Sequence, residues 1–384
     1  MFFSFSRAAA LFLPLFVIAC THSDHEVGSG PSVATTSGSV TAELGPEGSV
    51  IYRDIGYAAP PVDTLRWRAP ATLNTPERSI SAFADPVMCP QPQSMTSGGV
   101  AGEYLGTEDC LYLDVYAPNP TDVSDPLPVM LWIHGGSNLT GHKGTYDFSR
   151  LAARQRVVVV VINYRLGPFG WFVHPALNGP DLDSSPVANF GTLDMIEALR
   201  WTQKNIGGFG GDPANVTVFG ESAGGRNVFS LLASPLANGL FHRAIAQSGH
   251  VRSVGMAEAY NFERQYPTID RGSWEVVGAF DLEPANTSAE ALRTVPAHDL
   301  LRAYFGLEED HIQPLVIRDG VVIPAEGILA ALADEKEAKD AVDAALLVVS
   351  PIHSEQSLNR VVPVSPSYSS ESMSANGVYV AVSC

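Results

Sequence analysis

Short apolar runs recur along this chain, and stretches with helix-like spacing lie between them. The runs are Val129–Ile133, Val157–Ile162, Val216–Phe219 and Ala344–Val349. Continuous apolar segments of this length are typical of strands buried on both faces of a sheet. Within residues 193–206, Leu193, Ile196 and Leu199 share one side of a predicted helix. The alternation predicts the α/β class, with a mostly parallel central sheet flanked by helices.

Polar or glycine-rich residues follow three of these predicted strands. They are His134–Gly136, Asn163–Arg165 and Gly220–Ser222. Open α/β sheets bind their ligands beyond the carboxyl ends of the strands. We therefore expect the functional site at this edge of the sheet.

The segment Gly220–Gly224 reads Gly-Glu-Ser-Ala-Gly and has the strand, turn and helix context of a nucleophile elbow. Glycine on both sides allows the backbone to turn sharply enough to lift a serine hydroxyl clear of the sheet. A helix amino terminus then lies beneath that hydroxyl. The pattern predicts Ser222 as a nucleophile, and the alternative is an ordinary turn serine.

The amino terminus is typical of an export signal. Arg7 precedes an apolar stretch that ends at Ala19 and is too short to span a bilayer. Val17–Cys20 is similar to the bacterial lipoprotein box, which predicts a signal peptide over 1–19 and a lipid on the sulfur of Cys20. The alternative is an ordinary secretory signal. Either interpretation predicts an exported protein, which is membrane-anchored through the lipid or secreted.

Composition divides the remaining chain into three parts. Residues 20–41 are rich in Ser, Gly and Thr, a composition that predicts a flexible linker. Residues 42–360 have the pattern of a globular domain. Residues 361–384 form a divergent Ser-rich tail. With Cys20 set aside, an exported chain with a close cysteine pair predicts one disulfide, between Cys89 and Cys110. This pairing leaves Cys384 without a predicted disulfide partner.

The charge balance excludes one class of partner. The chain has 23 Lys and Arg against 41 Asp and Glu, without any basic cluster. Nucleic-acid binding requires such clusters, so no nucleic-acid partner is expected. No clustered Cys and His spacing is typical of zinc, so no metal site is expected.

Longer motifs in the chain resemble the type-B carboxylesterases, a family that includes bacterial nitrobenzyl esterases, fungal lipases and cholinesterases. The matching segments, which all lie within about Ala42 to Arg360, are Phe209–Gly224, Glu108–Pro118, Asn163–Gly170 and Asn189–Asp194. The resemblance implies an α/β-hydrolase fold and a serine carboxylic-ester hydrolase that acts through an acyl-enzyme on a small-molecule ester. It implies no cofactor.

The same resemblance implies roles for further residues. Gly136, Ser137 and Ala223 would donate backbone N–H groups to the oxyanion, although the family usually has glycine where this chain has Ser137. Glu355 would be the acidic member of the catalytic triad, in a loop that departs from the family pattern, and the alternative is a solvated loop glutamate. His134 leads the oxyanion loop in the family, so we expect a structural role for it.

Two buried ion pairs are also implied by the family, Arg66 with Glu108 and Arg165 with Asp194. Asn138 begins an Asn-Leu-Thr sequence, which would carry sugar only in a eukaryotic secretory pathway.

The catalytic histidine is the missing part of this pattern. No histidine follows Glu355, and His353 precedes it by only two residues, which is a poor position for a base. We therefore expect a truncated or frame-shifted esterase that lacks the C-terminal part of the fold and turns over esters barely above background. The alternative function is a non-catalytic, surface-tethered binding protein on the same scaffold.

Overall fold

The computed structural model describes most of the chain between residues 30 and 333, together with two later strands. The described residues are 30–93, 103–119, 125–178, 188–269, 272–280, 282, 287–305, 314–333, 346–349 and 379–382. The signal peptide over 1–19, Cys20, His353, Glu355 and Cys384 therefore lie outside the described residues.

Strands and helices alternate along most of the described chain. The strands are β1 (Ser32–Thr35), β2 (Gly38–Thr41), β3 (Glu43–Leu44), β4 (Ser49–Gly56), β5 (Ser79–Ile80), β6 (Gln91–Pro92), β7 (Tyr104–Leu105), β8 (Tyr112–Pro118), β9 (Leu127–Ile133), β10 (Val158–Ile162), β11 (Gly211–Glu221), β12 (Arg243–Gln247), β13 (Ser253–Gly255), β14 (Val316–Arg318), β15 (Leu346–Val349) and β16 (Tyr379–Val382). The helices are α1 (Ser149–Gln155), α2 (Gly167–Gly170), α3 (Phe190–Asn205), α4 (Ala223–Ala233), α5 (Met256–Tyr260), α6 (Ser273–Gly278), α7 (Ala289–Thr294), α8 (Ala297–Phe305) and α9 (Ile328–Ala333).

A seven-stranded sheet forms the centre, in the order β12-β11-β9-β10-β8-β4-β3. The four strands from β12 to β10 run parallel, whereas β8, β4 and β3 pair antiparallel. This is the α/β-hydrolase fold. Its parallel strands β9, β10 and β11 are built from the apolar runs that the sequence shows, whereas β12 reads Arg-Ala-Ile-Ala-Gln and the run in β15 pairs with β16 in a separate two-stranded sheet. The predicted strands and the helix over 193–206 correspond to β9, β10, β11, β15 and α3.

Both faces of this sheet are covered. Val158, Val160 and Ile162 of β10 point into the larger core, while Val159 and Val161 point into a second core on the opposite face. Because alternate residues of a strand face opposite sides, a strand buried on both faces needs an unbroken apolar run. The pattern of β10 follows from this requirement.

The predicted flexible linker is wrong for residues 30–41. These residues form the antiparallel hairpin β1–β2, and its Val33 and Val40 belong to the larger core. The Trp201 indole N–H donates to the hydroxyl of Ser37 between the two strands, at 2.9 Å. Small polar residues therefore form an ordered hairpin here because tertiary contacts with α3 hold it.

The predicted Ser-rich tail also contains regular structure. Strand β16 lies within it and pairs parallel with β15 over four residues, from Leu346 with Tyr379 to Val349 with Val382. The part of the tail that the structure describes is therefore a strand.

Cys89 and Cys110 are joined in a disulfide, with 5.0 Å between their Cα atoms, and both are buried. In the described ranges, every helix is too short or too polar to cross a bilayer.

Candidate active site

Ser222 occupies the sharp turn between β11 and α4. Its backbone has φ 57° and ψ −116°, in the positive-φ region that residues other than glycine rarely adopt. Its N–H donates to the Gln247 carbonyl at 2.8 Å, and its carbonyl accepts from the Arg226 N–H at 3.0 Å. The side chain is partly exposed. Strain held by neighbouring hydrogen bonds in this way is typical of functional turns.

The flanking glycines are required because the turn packs directly on backbone. A Cβ at Gly220 would lie 2.6 Å from the Gly224 carbonyl carbon and 2.8 Å from the Ile133 oxygen. A Cβ at Gly224 would collide with the same Ile133 oxygen. Any side chain at these two positions would push α4 away from the end of β9. The Gly-x-Ser-x-Gly pattern therefore follows from packing as well as from the turn.

The loop after β9 lies against this elbow. Strands β9 and β11 are parallel neighbours, with Ile133 opposite Gly220, so the residues that follow them meet at one edge. A Cβ added to Gly135 would be 3.3 Å from the Ser222 Cβ. Parallel pairing thus brings together two segments that are distant in sequence.

Three backbone N–H groups in this region are available for a ligand. Among the described hydrogen bonds, the Gly136 and Ser137 N–H groups donate to no acceptor. Ala223 is the first residue of α4, where N–H groups have no partner within the helix. Such donors at a helix amino terminus are suited to bind an anion. Ser137, which replaces the usual glycine, has φ 59° and retains its N–H.

His134 is fully enclosed at the start of the loop. Its ring stacks on Tyr164 with 4.4 Å between centroids, and its Nδ1 donates to the Gly135 carbonyl at 2.8 Å. Burial is the largest influence on the pKa of this imidazole and lowers it to about 4. His134 is therefore neutral near pH 7 and supports the loop by packing, in line with its expected structural role.

No described side chain forms a hydrogen bond with the Ser222 hydroxyl. Two other histidines flank β12, His242 before its first residue and His250 after its last. Each uses Nδ1 to accept a local backbone N–H group, His242 from Val216 and His250 from Arg252. The candidate acid, Glu355, is outside the described residues. The structure thus places the loop that carries Gly136 and Ser137 against the elbow that carries Ser222 and Ala223, and it leaves the acid and base unassigned.

Both expected ion pairs are confirmed. The Arg165 Nε and one terminal nitrogen lie 2.8 and 2.7 Å from the two carboxylate oxygens of Asp194, which is fully buried. Arg66 contacts Glu108 in the same bidentate manner, and its Nε lies 2.7 Å from Oε1. The first pair connects the loop after β10 to α3.

Sequence reasoning missed a buried amide pair, Asn138 with Asn227, and a buried charge cluster. In the cluster, the Lys143 Nζ lies 2.6 Å from Asp54 and 2.7 Å from Asp114. The sequence indicates Asn138 only as a possible sugar acceptor, yet this residue has no exposed surface. No local pattern indicates these partners, since each pair is separated by at least 29 residues.

Within the described part of the chain, no group of three or more His, Cys, Asp or Glu side chains is arranged to hold a metal ion.

Comparisons with known proteins agree with this geometry. The para-nitrobenzyl esterase of Bacillus subtilis is 39% identical over 259 residues, which cover 66% of this chain and 52% of that protein. The liver carboxylesterase 1 of Oryctolagus cuniculus is 40% identical over 246 residues, covering 60% of this chain and 42% of that protein. The chain thus spans about half the length of the curated relatives it matches.

Solved structures give the same result. A PNB esterase superposes with a TM-score of 0.68 at 34% identity, covering 83% of this chain and 63% of that chain. A Geobacillus stearothermophilus carboxylesterase superposes equally well at 30% identity, with 83% and 62% covered. The sequence model of the carboxylesterase family matches residues 29–372, a range that includes the hairpin β1–β2, the elbow and the loop after β9. The chain therefore belongs to the carboxylesterase family.

Proposed function

We propose that this protein is a serine carboxylic-ester hydrolase in which Ser222 attacks the ester carbonyl carbon. The hydroxyl proton passes to a base, a bond forms between the serine oxygen and the carbonyl carbon, and the alcohol leaves with a proton. Water then hydrolyses the acyl-enzyme by the reverse sequence of proton transfers. The observation that carries this proposal is the strained, partly exposed Ser222 at the amino terminus of α4.

Stabilisation of the oxyanion is the second part of the proposal. The N–H groups of Gly136, Ser137 and Ala223 are the proposed donors. Support comes from their lack of other acceptors among the described residues and from the contact between this loop and the elbow. Donors fixed in advance act where charge develops and need no reorganisation during the reaction.

The acid and the base are the third part of the proposal. Glu355 is the proposed acid that orients a histidine, in the order serine, acid, histidine of this fold. No described histidine reaches the Ser222 hydroxyl. The base is therefore left unassigned in this proposal.

Hydrolysis of p-nitrophenyl acetate by the full 384-residue chain tests the proposal. Ser222→Ala should abolish the catalysed rate, whereas Ser230→Ala, a matched change of a buried serine on the same helix, should retain it. A rate that Ser222→Ala leaves unchanged would contradict the proposal.

A second candidate function is a non-catalytic binding protein tethered to a surface. The observation that favours it is the Ser222 hydroxyl, which has no hydrogen-bond partner among the described residues. This candidate predicts saturable binding of an ester, measured by calorimetry, without release of its alcohol. Binding with release of alcohol in a Ser222-dependent manner would exclude it.

Export and lipid attachment remain part of the proposal. The Val17–Cys20 box supports cleavage before Cys20 and attachment of lipid to its sulfur. Mass spectrometry of the mature amino-terminal peptide after bacterial expression tests this. An unmodified terminus at Thr21 or later would leave simple export as the explanation.

A further inference from the structure

Two buried asparagines join the loop after β9 to helix α4. Asn227 Nδ2 donates to Asn138 Oδ1 at 2.8 Å, and Asn138 Nδ2 donates back to Asn227 Oδ1 at 3.2 Å. Both side chains are fully buried. Each amide has a donor and an acceptor, so the reciprocal pair satisfies one of each on both sides.

The loop side of this pair has an unusual backbone. Gly136, Ser137 and Asn138 have φ values of 99°, 59° and 59°, three consecutive residues in the positive-φ region. Asparagine tolerates this region better than most residues, but serine does not, and such a run persists only when surrounding contacts hold it.

Backbone hydrogen bonds fix both ends of this run. The Leu139 and Thr140 N–H groups donate to the Gly136 carbonyl at 2.9 and 3.0 Å, and the Gly167 N–H donates to the Asn138 carbonyl at 2.8 Å. These bonds hold the backbone path of the loop. They do not connect it to α4, which carries the elbow.

Tyr164 is another polar side chain near the pair. Its hydroxyl lies 2.7 Å from the His134 carbonyl and 3.3 Å from Asn138 Oδ1. A single hydroxyl proton serves the nearer acceptor best. The Asn227 amide is therefore the main donor to Asn138.

The helix side leads directly to the elbow. Asn227 lies four residues after Ala223, so the two residues stack one above the other on the same face of α4. The amide pair therefore joins the turn that carries the Ala223 N–H to the loop that carries the Gly136 and Ser137 N–H groups.

We infer that Asn138 and Asn227 are positioning residues, which set the distance between the two halves of the oxyanion-binding site. The inference rests on the proposed function, because only an oxyanion formed at Ser222 needs donors from both segments at once. The amides touch no reacting atom and act through the backbone that they hold.

Removal of either amide tests this inference in the full chain. The variants are Asn227→Ala, Asn138→Gly, which suits the positive φ, and the double variant. Asn205→Ala is the matched control, since Asn205 is a buried asparagine whose amide exchanges hydrogen bonds with Thr36 on the β1–β2 hairpin.

Two measurements are made on each variant. Hydrogen exchange at the Leu139, Thr140 and Gly167 amides reports opening of the loop, and steady-state kinetics with p-nitrophenyl acetate report the reaction. We expect exchange to accelerate about tenfold or more in both single variants, and no further in the double variant, because the two amides form one unit. We expect kcat to fall about 10- to 100-fold with KM nearly unchanged, because oxyanion contacts form only in the transition state.

The two measurements separate this inference from the proposed function. Unchanged exchange in both single variants, or equal acceleration in Asn205→Ala, would overturn the positioning role even if the enzyme is active. Wild-type protein without Ser222-dependent turnover would refute the proposed function, and the exchange data would still decide whether the pair holds the loop. A rise in KM with constant kcat would show a role in ground-state binding and would overturn positioning of the oxyanion donors.

Discussion

Replacement of Arg165 by methionine should destabilise this protein by several kcal/mol at neutral pH. Arg165 and Asp194 are both buried, and the guanidinium satisfies both carboxylate oxygens at 2.7 and 2.8 Å. The ring of Phe190 lies 5.4 Å from the guanidinium carbon and covers it. The substitution removes the cation and keeps an unbranched apolar side chain, so the change is mainly electrostatic.

The magnitude follows from the carboxylate that remains. Removing one partner of a buried ion pair typically costs about 3–5 kcal/mol, because the other charge stays buried and uncompensated. The Arg165 backbone N–H still donates to Asp194 at 3.0 Å, so we expect the lower end of this range. The free energy of unfolding of a typical domain is about 5–15 kcal/mol, so a loss of this size should be easy to measure.

Urea unfolding followed by circular dichroism gives the free energy of unfolding for the wild type and three variants. Arg154→Met is the control for a surface pair, because the Arg154 bond to Glu47 at 2.6 Å is largely exposed. Exposed ion pairs contribute about 0–1 kcal/mol to the stability of the folded state. Arg165→Met with Asp194→Leu removes both charges and should be less destabilised than Arg165→Met alone.

The pH dependence gives an independent check. Burial raises the pKa of Asp194, and Arg165 opposes that rise, so the variant should have a higher folded-state pKa than the wild type. A raised folded-state pKa contributes stability that is present below the unfolded value, near 3.8, and lost as pH rises. The deficit of Arg165→Met should therefore be largest at pH 7 and smaller at pH 5. A deficit below about 1 kcal/mol at pH 7, equal to that of Arg154→Met, would refute the reasoning.

Three further predictions concern the elbow, its loop and the disulfide. His134 has a pKa of about 4 rather than 6.5 through burial, so wild-type stability should fall by up to about 3 kcal/mol as pH drops from 6.5 to 4. His134→Phe should show a smaller fall in urea unfolding, and an equal fall would contradict the assignment. Gly224→Ala would force a methyl group against the Ile133 carbonyl and should lower the stability by about 1–3 kcal/mol, measured by thermal unfolding. A variant as stable as the wild type would contradict this packing. Replacing Cys89 and Cys110 with alanine should cost about 3 kcal/mol under oxidising conditions, and two free thiols in peptide maps of the folded wild type would disprove the bond.

The antiparallel half of the sheet was not evident from the chain. Strand β8 is indicated only by a family motif. Strand β4 has no clear apolar pattern because Arg53 and Asp54 interrupt its apolar residues. Asp54 has φ 56°, and its carboxylate accepts from Lys143 in the buried cluster. A buried polar residue of this kind resembles a surface residue until its distant partner is known.

The hairpin β1–β2 differs from the linker that its sequence predicts for a related reason. Serine, glycine and threonine supply little apolar surface, and composition alone predicts a linker for such a segment. The hairpin is ordered because Val33 and Val40 enter the core and because Ser37 and Thr36 bind side chains of α3. These contacts cross more than 160 residues of sequence.

The sequence by itself determined the features that depend on neighbouring residues. Runs such as Val157–Ile162 predict strands buried on both faces, and Gly220–Gly224 predicts the elbow because its glycines are required by the local turn. Tertiary structure alone decided the contacts that hold the loop after β9 against Ser222. The contact of Gly135 with the elbow and the pairing of Asn138 with Asn227 arise from the parallel register of β9 and β11, across 89 residues in the amide pair. Hydrogen bonds between distant segments depend on that register, and local sequence carries no record of it.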